Sequence, residues 1–86
     1  MYINIKINKA AYKHKITEAD IKRALSRPRF DGAIDENDGN KYLTIGFDNA
    51  GNLLEIMYNL IDEQSINVFH AMRCRKGFLQ YLDHEE

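Results

Sequence analysis

The chain has 86 residues, 44% hydrophobic and 29% charged, with a net charge of −1; that is the length of one domain and the balance of a folded globule, not of a disordered tail. No apolar run reaches the roughly 20 residues of a membrane helix, and the opening MYINIKINKAAYKHK has no continuous apolar stretch of the secretory-leader kind. Cys74 is the only cysteine, so an internal disulfide is excluded and one cytoplasmic domain over residues 1–86 is expected.

Tyr2 to Ile7 alternates, placing Ile3, Ile5 and Ile7 on one face of a short predicted strand. Residues 9–14 have room for one helical turn. Thr17-Glu18-Ala19-Asp20 is a capping box in its Asp form. The Thr17 hydroxyl should accept from the Asp20 amide while the Asp20 carboxylate reaches back. Ile16 and Ile21 hold the staple positions, Ile21, Ala24 and Leu25 form a buried stripe, and Pro28 ends a helix predicted over 17–26.

Phe30 to Ile34 reads as a short strand running into the turn cluster Asp35-Glu36-Asn37-Asp38-Gly39. Leu43, Ile45 and Phe47 then alternate with Tyr42, Thr44 and Gly46. Asp48-Asn49-Ala50-Gly51 predicts a hairpin loop built on a type I turn, with Gly51 left-handed. Leu53 to Leu60 is the return strand, apolar on both faces and therefore central. After a turn at Asp62-Glu63-Gln64, Ile66 to Met72 is a further strand. Cys74, Phe78, Leu79 and Leu82 recur at helical spacing and predict a closing amphipathic helix, with Asp83 to Glu86 frayed. The expected fold is α+β: a single antiparallel meander packed on one face against an N-terminal and a C-terminal helix. Its small core sits near the lower limit for folding alone, which leaves room for a partner.

The charges are segregated along the chain. Residues 1–30 carry eight Lys/Arg against two acids, and residues 31–65 carry one against eight. This suits an anionic partner at one face or, more plainly, a solvated surface. There is no glycine-rich phosphate loop, CxxC, HExxH or GxSxG. His14, His70 and His84 lie far apart, and His70 with Cys74 lacks further ligands, so no metal or cofactor is expected. Asp35, Glu36 and Asp38 read as turn formers without EF-hand spacing. Cys74 reads as a small buried hydrophobe sooner than a nucleophile, although Arg73, Arg75 and Lys76 flank it.

The stretch His70-Ala71-Met72-Arg73-Cys74-Arg75-Lys76 holds an imidazole, two guanidiniums and an ammonium where a strand meets a helix. Metal-free RNA cleavage needs a base for the 2′-hydroxyl, a cation for the pentavalent phosphate and an acid for the leaving oxygen. The plainer reading pairs the arginines with carboxylates and packs His70 on the sheet. Lys13-His14-Lys15, with Lys76, would grip the RNA backbone, and Tyr12 would offer a stacking surface.

Three segments resemble the BrnT-type toxin family of the RelE-like superfamily. Lys13-His14-Lys15-Ile16-Thr17-Glu18-Ala19-Asp20 is similar to its lysine–histidine–glycine–hydrophobic–serine segment at the first helix. Tyr42-Leu43-Thr44-Ile45-Gly46 with Gly51-Asn52-Leu53-Leu54-Glu55-Ile56-Met57-Tyr58 resembles the central hairpin, and Ile66-Asn67-Val68-Phe69-His70-Ala71 the last strand. The chain departs from that pattern in having Ala71-Met72 where the family has Ala-Arg, with arginines at Arg73 and Arg75, and in a final helix that is not densely basic. The resemblance implies a RelE-like fold and a small cytoplasmic toxin of a type II toxin–antitoxin system. Such a toxin cleaves RNA, free or on the ribosome, and is neutralised by a cognate antitoxin. On this expectation the catalytic residues are His70, Arg73 and Arg75, and the RNA-binding residues Lys13, His14, Lys15 and Lys76, with no membrane and the oligomeric state open. The alternative is a non-catalytic protein-interaction module on the same scaffold; RNA binding without cleavage is a third reading, carried only by the basic N-terminal third.

Overall fold

The structure, a computed structural model, describes residues 3–34 and 39–83. Among the described residues five strands, β1 (Asn4–Ile7), β2 (Pro28–Ala33), β3 (Tyr42–Phe47), β4 (Leu53–Asp62) and β5 (Ser65–Arg73), form one mixed sheet. Their order is β1-β5-β4-β3-β2. One α-helix, α1, spans Glu18–Ser26, and 3₁₀ segments span Lys9–Tyr12 and Lys76–Asp83. The fold is α+β. Among the described residues no helix is long and apolar enough to cross a membrane.

The meander β2–β5 is antiparallel throughout, with β4 in the middle as its two-sided apolar pattern predicts. The sheet departs from the expected antiparallel meander at its edge. There β1 joins β5 in parallel, Ile5 opposite Ile66 and Ile7 opposite Val68. Ile5 and Ile7 would present the same face in either direction, so their alternation does not report strand polarity. The strand begins at Asn4, and Ile3, in the alternating series on sequence, is 70% exposed. Tyr2, Asp35, Glu36, Asn37, Asp38 and residues 84–86 lie outside the described residues, while Asp83, expected to fray, ends the last helical segment.

The two ends of the chain cover opposite faces of the sheet, not one face as expected. Ile21 and Ala24 of α1, with Ala11, close over Leu54, Ile56, Tyr58, Ile66, Val68 and Ala71. Gly46 of β3 lies directly beneath α1: a Cβ at this position would overlap the Ala24 carbonyl oxygen. Leu43 and Ile45 alternate to the other face and are fully buried there. Tyr81 of the C-terminal 3₁₀ helix meets Phe30, the partner of Ile45, with ring centroids 4.8 Å apart. Both faces of the inner strands are apolar, so each needs a cover.

The closing helix is also tighter than predicted. At three residues per turn, Phe78 and Tyr81 share one ridge with centroids 6.1 Å apart, while Leu79 is exposed. Thr17 caps α1 as expected, its hydroxyl accepting from the Asp20 amide at 3.2 Å. The Asp20 carboxylate takes a different partner: it accepts from the backbone and side-chain N–H groups of Asn49, both at 3.1 Å, and so ties α1 to the β3–β4 loop. That loop closes with Gly51 left-handed, as predicted. The Gly51 amide donates to the Asp48 carbonyl and Gly51 has φ +88°. Asp48 Oδ1 accepts from the amides of Ala50 and Asn52. Burial pushes the Asp48 carboxyl up, but these bonds, the Asn52 side chain and the charge of Arg73 outweigh it and hold it below the usual range.

Candidate active site

Glu55 is the residue around which the site is built. It lies on β4 between Leu54 and Ile56, alternates to the face away from α1, and its side chain is 0% exposed. A buried carboxylate needs compensation for lost hydration. Here it comes from β5 and the segment after it. The Arg75 amide donates to Oε1 at 2.9 Å, and the Arg75 guanidinium straddles both oxygens, with Nε at 3.2 and 3.1 Å and Nη2 at 2.6 Å from Oε2. His70 Nε2 stands 2.9 Å from Oε2. Burial works to raise the Glu55 carboxyl, but the Arg75 side-chain and amide bonds, then His70, outweigh it and hold the group below the usual carboxylate range. The same pairing pushes Arg75 further up.

His70 reaches Glu55 because of a bulge. The β4–β5 register shifts between Met57 and Tyr58, so that Tyr58 faces Val68 while Met57 faces His70, with Phe69 the extra residue. His70 therefore shares a face with Glu55 and Met72, and its side chain is 22% exposed. The fold also brings it a distant neighbour. His14, from the turn between the Lys9–Tyr12 segment and α1, lies edge-on to the His70 ring with centroids 5.8 Å apart. Lys13 and Lys15 flank it and are exposed, as is Tyr12. Lys15 is in the left-handed region at φ +66°, a conformation that favours glycine.

The sequence-predicted site residues are thus partly gathered. His70, Arg75 and His14 converge, and Lys76 follows Arg75 on the exposed start of the last helix. Arg73 does not join them. It faces Leu54 on the α1 side of the sheet, where its charge acts on Asp48. Arg75 is occupied in the way the plainer reading of the arginines anticipates, pairing with a carboxylate, though its side chain stays 53% exposed over the Phe78 ring. Cys74 is half-buried ahead of the last helix, not on its inner ridge. Its thiol is pushed up by burial and by the Glu55 charge, against the pull of Arg75, which disfavours a nucleophilic thiolate. Among the described residues no three metal-capable side chains cluster; His84 lies outside them.

Sequence reasoning missed Glu55. The available signal was a lone acid inside an apolar strand read as central, where an unpartnered charge is costly. A cavity of about 310 Å³ opens on the α1 side, lined by Ile5, Lys22, Leu25, Pro28, Asp31 and Thr44 among others. It contains none of the residues of this site. No family model, curated protein or solved structure matches the chain.

Proposed function

We propose that the chain is a metal-independent endoribonuclease of the type II toxin kind, neutralised by a small antitoxin protein, with His14 and His70 as its proton-transfer pair. The observation that carries this reading is the approach of two imidazoles 56 residues apart in sequence, their centroids 5.8 Å apart, one of them anchored to a buried carboxylate. Two imidazoles at that spacing suit in-line cleavage of RNA. One takes the proton of the 2′-hydroxyl, the new O2′–P bond displaces O5′, and the other protonates the leaving oxygen. A 2′,3′-cyclic phosphate and a 5′-hydroxyl result. The exposed ammonium groups of Lys13, Lys15 and Lys76 supply the cations for the phosphate backbone. The BrnT-like segments noted above lie on the same elements.

The test is cleavage of a defined RNA in EDTA by the purified chain, compared with the exposed-residue variant His14→Ala. The variant should lose about 100-fold or more in rate, the lower end for removing a positioned acid or base, while unfolding unchanged. Induced expression should also arrest bacterial growth, and a small neighbouring reading frame should relieve it. Equal cleavage by His14→Ala and the parent would remove the pair from the mechanism. The interaction-module reading draws on a separate observation: Arg73 lies across the sheet from His70, and the Arg75 fork beside His70 is taken by the Glu55 carboxylate. Growth arrest without RNA cleavage would favour it.

A further inference from the structure

We infer that Glu55 is a positioning residue that holds His70 in the Nε2–H tautomer and thereby makes His70 the base and His14 the acid; this rests on the nuclease reading above. Glu55 Oε1 and Oε2 together take the Arg75 amide, Nε and Nη2, an arrangement that requires the ionised carboxylate. An ionised carboxylate only accepts hydrogen bonds. The His70 Nε2 atom at 2.9 Å must therefore carry its hydrogen, which leaves Nδ1 as the acceptor of the neutral ring.

The consequence is directional. His70 Nδ1 takes the 2′-hydroxyl proton, O2′ attacks phosphorus, the P–O5′ bond breaks, and a protonated His14 delivers its proton to O5′. The imidazolium formed on His70 sits against the Glu55 carboxylate, whose position does not have to change during the step. Arg75 serves the same end from behind. Its fork fixes the carboxylate plane, and its own guanidinium rests on Phe78 with the charge 5.2 Å from the ring centroid. Arg75 thus acts through Glu55, not on the phosphate.

The experiment uses the full chain, uniformly ¹⁵N-labelled, and has two arms. Long-range ¹H–¹⁵N spectra of the parent at a pH where His70 is neutral should show Nε2 protonated and Nδ1 as an acceptor. Cleavage of a defined RNA in EDTA by Glu55→Gln should then show kcat lower by about 100-fold or more, as for a carboxylate that orients a catalytic imidazole, with KM nearly unchanged. Glu55→Asp should recover part of the loss. An Nδ1–H tautomer in the parent overturns the inference whatever the variants do, including failure of Glu55→Gln to fold. So does a folded Glu55→Gln with kcat within about threefold of the parent, a result that leaves the nuclease reading standing. Absence of cleavage by the parent, with His70 in the expected tautomer, overturns the nuclease reading and the catalytic role of Glu55 with it.

Discussion

Gly46 and Lys15 show how single residues set the geometry of this protein. At Gly46 the absent side chain lets the α1 backbone settle onto β3, since a Cβ would overlap the Ala24 carbonyl oxygen. Gly46→Ala must push helix and sheet apart, and should cost about 1–3 kcal/mol, the range for overpacking a core, in urea unfolding at neutral pH. A change within error would mean that α1 rides higher on the sheet than the structure places it. Lys15 presents the opposite case. A lysine at φ +66° carries strain that glycine would not, roughly 1–2 kcal/mol for a left-handed L-residue. Lys15→Gly should therefore raise stability, by about 1 kcal/mol or a little less once the looser unfolded chain is counted. The same change removes an ammonium beside His14, so RNA affinity should fall as stability rises. Parallel measurement of unfolding and of RNA binding separates the two effects.

Among the elements, α1 depends most on its ends. Its first turn is held twice, by the Thr17 hydroxyl on the Asp20 amide and by the Asp20 carboxylate on Asn49. Thr17→Ala should lower stability by about 1 kcal/mol, the usual cost of an N-cap, and calorimetry would register it as a lower midpoint with the fold retained. The strands behave differently. Their boundaries are marked by alternation and by turn chemistry at Asp48–Gly51, and β2 to β5 stand within a few residues of where the pattern predicts. The last helix was legible as an apolar periodic segment, but not its pitch. Phe78 and Tyr81 satisfy a three-residue spacing as readily as Cys74, Phe78 and Leu82 satisfy a four-residue one, and Phe30 decides which ridge turns inward.

At the scale of the whole molecule, two buried carboxylates add to the pH dependence of stability, beside the exposed Asp62, which bonds from Gln64 and Ser65 also hold below its ordinary range. Glu55 and Asp48 are held below the ordinary range in the fold, so they bind protons less readily than in the unfolded chain. Their contribution is fully present above the unfolded value of about 4 and is lost as pH falls through the lower folded values. The melting temperature should therefore drop on acidification below about pH 4, and less steeply in Glu55→Gln; equal slopes would show that Glu55 does not carry the acid transition. The sequence by itself determined what is local: the Thr17 cap, the strand alternation, the left-handed Gly51, the central place of β4 and the two basic segments around His14 and His70. Each follows from spacing of a few residues or from one backbone preference. Only the tertiary structure decided the parallel docking of β1, the covers on opposite faces, the separation of Arg73 from Arg75, and the meeting of His14, His70 and Glu55. These are choices of face and register between segments far apart in sequence. A bulge at Phe69 sets the face that His70 presents, and a buried acid on a neighbouring strand selects its partners, neither of which is encoded in the spacing of either segment alone.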